Sequence, residues 1–312
     1  MVQYWLFALG GGALSASLYL SVVLGSSGAM LLAYLAQLPL FVAALGFGTM
    51  AGAAASGAGT LVVALAGGLL AGMLYLLVNG VPVLVMSQRA LLSRETAAGE
   101  REWYPPGLLL AWLTALGAGA FILVGAILAL GQSGLEDSVR SFLSGGMERI
   151  ASGAAEDDRA RLVDLIVPWF PAAVVGSWII MVTINGALAQ GLLQRFRRNL
   201  RPAPDMAAIA LPPAMMAALG VSLVAWLIAD GALGFIGRNV AVIMLVPFFF
   251  LGLAVVHAFA RASRFRPWLL VSAYGSILLF GWPVVLVAVL GLFEQGMGLR
   301  RRIAGHPPAV KE

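Results

Sequence analysis

Uncharged hydrogen-bonding side chains set inside long apolar runs are the residues of this chain with the most chemistry open to them. The stretch WIIMVTINGALAQGLLQRFRRNLRP, Trp178 to Pro202, starts as an apolar helix, gains amides at Asn185, Gln190 and Gln194, and leaves through Arg195, Arg197, Arg198 and Arg201. Hydrocarbon penalises polar groups, so those kept at membrane depth serve either a ligand or a hydrogen bond between helices. Thr183, Gln190 and Gln194 fall at i, i+7 and i+11 and share one helix face, whereas Trp178 and Asn185, seven apart, share another. Two readings are open. Either Thr183, Asn185 and Gln190, with Asn79 from an earlier run, line a substrate cavity, or these amides fix helix pairing. Gln194 and the arginines beyond it belong to the membrane boundary. There Arg195, Arg197, Arg198 and Arg201 form a cytoplasmic basic patch that orients the helix, or docks an acidic partner or lipid headgroups.

Other polar residues carry narrower expectations. Asp230 and Arg238 flank GALGFIG, which reads as a Gly-rich turn between two spans and brings the two charges together as an ion pair. His257 is the one histidine inside a span and titrates in the physiological range. With no Cys and no second histidine in the apolar runs, no metal site is expected. Glu294 reads as an ordinary exposed carboxylate, and Gln37 is a single amide without a predictable partner. There is no phosphate loop, no carboxylate pair within a span and no nucleophile with an obvious base, so the reading is non-enzymatic, with no cofactor.

The elements that position these residues follow from composition. Apolar residues make up 61% of the 312 and charged ones 11%, a balance no soluble core could use. The apolar runs reach the roughly 20 residues that a helix needs to cross about 30 Å of hydrocarbon. The net charge of +5 comes from arginine clusters just beyond those runs, where they set orientation and meet anionic lipid, so the bilayer and not nucleic acid is the expected partner. The fold class is therefore all-α: a polytopic helical membrane protein of about eight or nine transmembrane helices with one amphipathic extracytoplasmic segment. The amino terminus lacks a basic leader and reads as the first retained span.

Along the chain, residues 1–131 form an amino-terminal membrane block of about five spans: Tyr4–Leu24, Ala29–Phe47, Met50–Ala66, Leu69–Met86 and Gly107–Leu130. Ala8, Gly12 and Ala16 recur every four residues on the first, a small-residue stripe for helix packing or for contact with a partner. Residues 132–164 are net acidic; Ser133 and Glu136 stand at capping-box spacing before an amphipathic helix that links spans or covers the bundle mouth. Residues 165–303 form a carboxy-terminal block of three or four spans, and 304–312 a disordered tail. The sixth span, Leu162–Leu193, bends near Pro168 and Pro171; Ala214–Ile228 and Asn239–Ala260 follow. Trp268–Phe293, interrupted by Gly281-Trp282-Pro283, is either one bent span, the favoured reading on apolar length, or a hairpin that returns Arg300, Arg301 and Arg302 to the side it left. Arginine bias puts the amino terminus and residues 195–201 and 261–266 in the cytoplasm and residues 132–164 outside.

The Gly/Ala-rich early spans, the acidic segment, WIIMVTINGALAQGLLQRFRRNLRP, DGALGFIGRN and GWPVVLVAVLGLFEQGMGLRRR occur in an order that resembles the bacterial membrane family called domain of unknown function 2232, in its alphaproteobacterial form. The resemblance covers nearly the whole chain. More remotely, the amino-terminal half of that family is similar to the substrate-binding subunits of energy-coupling-factor vitamin transporters, in which small residues on the first span contact the coupling protein. That likeness implies such a role for Ala8, Gly12 and Ala16, although this chain is longer and has additional spans and an acidic insert. The function expected is transport-related, a small-molecule binding subunit or carrier without its own ATPase in the bacterial inner membrane. A structural or assembly protein that acts through partner contacts is the alternative.

Overall fold

The computed structural model describes residues 2–24, 27–129, 134–261 and 263–304. Helices dominate because lipid offers the backbone no other partner. Among the described residues seven apolar helical segments, Trp5–Val23, Gly28–Phe47, Thr49–Gly67, Leu69–Ala90, Pro106–Leu128, Phe170–Arg195 and Gly231–Arg261, have the length to cross a bilayer, and three more are shorter. The chain is thus an all-α polytopic membrane protein. It forms two compact units, Met1–Leu113 with Ile180–Asp205, and Thr114–Ile179 with Met206–Glu312.

The first unit holds α1 (Val2–Leu20), α2 (Ser27–Tyr34), α3 (Gln37–Phe47), α4 (Thr49–Gly67), α5 (Leu69–Tyr75), α6 (Val81–Ala90) and the opening turns of α7 (Pro106–Ala129). A later helix contributes its second half. Ala8, Gly12 and Ala16 are buried, and a side chain built on Gly12 would strike the Ala55 carbonyl and the Ala58 methyl. The small-residue stripe is thus filled by α4, and its partner-contact reading has no free surface. Two of the expected spans are interrupted. The second breaks at Leu35–Ala36, between α2 and α3, and the fourth contains a π turn at Leu76–Gly80 between α5 and α6. After α6, Ser93–Glu95 (β1) and Arg101–Trp103 (β2) pair antiparallel with Arg94 opposite Glu102. An Arg94 Nε to Glu102 Oε2 bond of 2.7 Å holds the guanidinium charged beyond its ordinary range.

The second unit adds α8 (Leu135–Ile150), α9 (Glu156–Ile166), the first half of α10 (Phe170–Arg195), α11 (Pro213–Ile228), α12 (Gly231–Arg261), α13 (Arg266–Phe280), α14 (Pro283–Met297) and α15 (Leu299–Ala304). The acidic segment is two helices, not one. Arg140 of α8 pairs with Asp164 of α9 across the turn between them, and this contact raises the arginine's pKa. Gly134 stands at the N-cap of α8; Ser133, and with it the capping box, lies outside the described residues. So do 305–312, most of the expected tail.

Three expectations about this unit are overturned. GALGFIG is the first part of α12 and not a turn. Asp230 and Arg238 are therefore separated by eight residues of helical rise, about 12 Å, too far to pair. Arg238 instead donates from Nε to the Pro168 carbonyl at 3.1 Å and lies over the rings of Trp169 and Phe235. Next, Glu294 is buried, and its carboxylate takes the Arg300 Nε at 2.8 Å and the Arg300 amide at 2.9 Å.

Lastly, Trp268–Phe293 is not one bent span. α13 and α14 have 15 residues each, about 22 Å, short of the hydrocarbon thickness. Between them Gly281, at φ +71°, turns the chain as a side chain could not do without strain. α11 runs antiparallel to α12, its end packing against Gly234 and Gly237. The residues before α11 hold the end of α14: Arg300 Nη2 donates to Ile209 O at 2.7 Å and Gln295 Nε2 to Leu211 O at 3.1 Å. α13 follows the end of α12, with Tyr274 Oη 2.8 Å from His257 Nε2, and α14 packs along α12 in the antiparallel sense, Val287 beside Gly252 and Gly291 beside Phe248. The contact between α14 and α12 is backbone-close: a side chain on Gly252 would strike Val287 O, and one on Gly291 would strike Phe248 O.

Candidate functional site

Around the break between α2 and α3 the first unit gathers the polar groups of five apolar segments. Pro82, in α6, brings no amide proton to the carbonyl of Val78 four residues earlier; Gln37 Nε2 donates there instead, at 3.0 Å. Asn185 Nδ2, from α10, donates to Tyr34 O and to Met181 O, both at 2.8 Å. Ser15 of α1 donates to Ala36 O and shares a hydrogen bond with the Tyr75 hydroxyl. Each broken carbonyl near the discontinuity thus meets a side-chain donor, as hydrocarbon requires.

The cluster is polar beyond what its own structure uses. Gln37, Ser56, Asn79 and Asn185 are 2% exposed or less, yet Gln37 Oε1, Ser56 Oγ, Asn79 Nδ2 and Asn185 Oδ1 find no hydrogen-bond partner. Ser56 packs against Gly80, next to Asn79, and Asn79 itself lies in the π turn, a local expansion of the helix. Leaving such a group unmet costs about 1–3 kcal/mol. The four, all in the first unit, offer acceptors (Gln37, Asn185), a donor (Asn79) and a hydroxyl that can be either (Ser56), and none is charged. The arrangement can offer hydrogen bonds without a formal charge.

Of the residues expected at a site, Asn79 and Asn185 belong to this cluster. Gln190 does not: its Nε2 donates to Arg201 O at 2.7 Å and ties down the loop after α10. Thr183 is half-buried on the same helix and contributes none of the unmet atoms. The basic patch divides. Arg195, Arg197 and Arg198 are exposed, but Arg201 is buried and donates to Ala90 O at 2.9 Å and Tyr104 O at 3.1 Å. Burial lowers its pKa. Ser15, Ser56 and Tyr75 were not anticipated; Gln37 was noted without a partner. The available signal was a repeated pattern, Gln37-Leu-Pro39 and Asn79-Gly-Val-Pro82, an amide just ahead of a proline within an apolar run. Interrupted hydrophobic segments of this sort point to binding sites in membrane proteins.

Fold and cluster together define a polytopic α-helical membrane protein with a buried, uncharged polar centre. The chain belongs to the family described as Predicted membrane protein (DUF2232), whose model matches residues 13–294. No curated protein and no solved structure matches it.

Proposed function

We propose that the protein is a non-enzymatic transport component of the bacterial inner membrane, a binding subunit or carrier without its own ATPase, and that Gln37, Ser56, Asn79 and Asn185 hold a small, uncharged, hydrogen-bonding solute. The observation that carries this reading is the set of four unmet, buried polar atoms around a broken helix and a π turn. A structural core would have paired them or replaced them with apolar groups. The remote likeness to energy-coupling-factor binding subunits is compatible with it, but contact with a coupling protein through Ala8, Gly12 and Ala16 is not, because α4 covers that stripe. Energy for uptake would come from a separate ATPase or an ion gradient.

The orientation proposed has the amino terminus and the exits at 195–201 and 261–266 in the cytoplasm, with α8 and α9 outside. Support comes from the positive-inside rule. Thermal unfolding of the purified protein against a panel of neutral amides, polyols and heterocycles tests the function. A compound that raises the midpoint of the wild type but not of Ser56→Ala supports binding. Absence of any such compound, with a stoichiometric membrane partner co-purifying, would favour an assembly role.

A further inference from the structure

A second feature of the first unit is electrostatic and lies outside the polar cluster. Arg89, in the last turn of α6, and Arg201, from the loop after α10, meet beside the end of that helix. Arg201 donates to the carbonyls of Ala90 and Tyr104. The Tyr104 hydroxyl accepts from Trp112 Nε1 at 3.0 Å, and the Arg89 guanidinium lies 3.8 Å over the Trp112 ring. Trp103 stands on the other flank, its ring 6.0 Å from the Arg201 guanidinium.

Among the described residues neither arginine pairs with a carboxylate. Glu102 of the adjoining hairpin is occupied by Arg94. Nε of Arg89 and Nε of Arg201 are buried without partners, and Arg89 donates no hydrogen bond to any described residue. The carbonyls at the end of α6 account for part of the attraction, since a helix carboxy terminus carries about half a negative charge. Two full positive charges, one of them 6% exposed, exceed that. Buried charges are paired in stable proteins, and the described residues supply no counter-ion to this pair. The surroundings identify its source: two tryptophans and a tyrosine at a helix end mark the level of the lipid headgroups.

We propose that Arg89 and Arg201, framed by Trp103 and Trp112, form a binding site for the phosphate of an anionic phospholipid headgroup. Planar guanidinium groups suit phosphate oxygens, and Arg89, stacked on Trp112, presents its unused donors to the membrane boundary. Arg201 holds loop 196–205 to loop 91–105 and supplies the second charge.

Native mass spectrometry of the full-length protein in detergent, titrated with phosphatidylglycerol and with phosphatidylcholine, tests this. The wild type should prefer phosphatidylglycerol, and Arg89→Gln should weaken that preference about fivefold, the scale of one basic residue at an anionic surface. Because Arg89 donates no hydrogen bond to any described residue, this variant should fold. Arg195→Gln, at an exposed arginine of the same patch, should leave the preference in place. Equal binding of both lipids by the wild type, or an undiminished preference in Arg89→Gln, overturns the site. Displacement of phosphatidylglycerol by inorganic phosphate in an Arg89-dependent manner overturns the lipid assignment and indicates a soluble phosphate instead.

Discussion

Single residues in this protein divide by what their hydrogen bonds close. Gln190 and Arg201 are spent on backbone carbonyls and Glu294 on Arg300, whereas Gln37, Asn79 and Asn185 keep atoms unspent. Gln190→Ala should therefore lower stability by about 1 kcal/mol, the net value of one hydrogen bond, in a denaturation midpoint, and leave any ligand response unchanged. Glu294→Ala removes the carboxylate that takes the Arg300 Nε and amide at a largely buried position and should cost about 3 kcal/mol. Spacing along a helix identified Asn79 and Asn185 as buried polar residues, because periodicity and the cost of burial are local. It misplaced Gln190 and Arg201 because their partners, the Arg201 carbonyl and the carbonyls of Ala90 and Tyr104, lie off the helix. It misjudged Glu294 because the Arg300 that pairs with it is brought back by Gly298, at φ +62°, and not by helical spacing.

Elements were legible where apolar length and charge agree, and less so where glycine intervenes. Helices α4, α7 and α10 stand within a few residues of their expected positions, apart from α9, which the sequence merged with α10. GALGFIG was mistaken for a turn because glycine breaks soluble helices, but membrane helices carry glycine where backbones touch. Gly237 is such a place: its open side faces the backbone of Ala225 and Trp226 on α11. The reversal at Gly281 had a signal in Gly281-Trp282-Pro283. Apolar length outweighed it, and the contacts that hold the end of α14, from Arg300 and Gln295 to residues 209 and 211, span more than 80 positions. If α12 and α14 touch through backbone, Gly252→Leu or Gly291→Leu should destabilise the protein by 3 kcal/mol or about that, at the upper end of the cost of overpacking. Gly275→Leu, at a position with open space around it, should have little effect. Unfolding midpoints of the three variants distinguish these sites.

At the scale of the whole molecule, family membership and fold agree on an integral membrane protein, and sidedness is the property to measure. The chain has no cysteine, so single cysteines at Ser138, Ala203, Ser263 and Ala304 report without background. An impermeant thiol reagent on intact cells should label the Ser138 site and spare the other three. The Ala304 result separates the reversing α13–α14 pair, which keeps that site inside, from a crossing helix, which would expose it.

The central claim is that the polar cluster of the first unit is kept for a ligand, and Asn79→Leu tests it most directly. Asn79 donates no hydrogen bond and its Nδ2 is buried, so an apolar residue of similar size removes a burden of about 1 kcal/mol or more from the unliganded protein. A functional site pays for its polar groups in stability. Calorimetric unfolding of wild type and Asn79→Leu, each with and without the compound that stabilises the wild type, should show a variant that is more stable alone and no longer responds to the compound. A variant that is less stable alone and still responds would make Asn79 a structural residue and contradict the account.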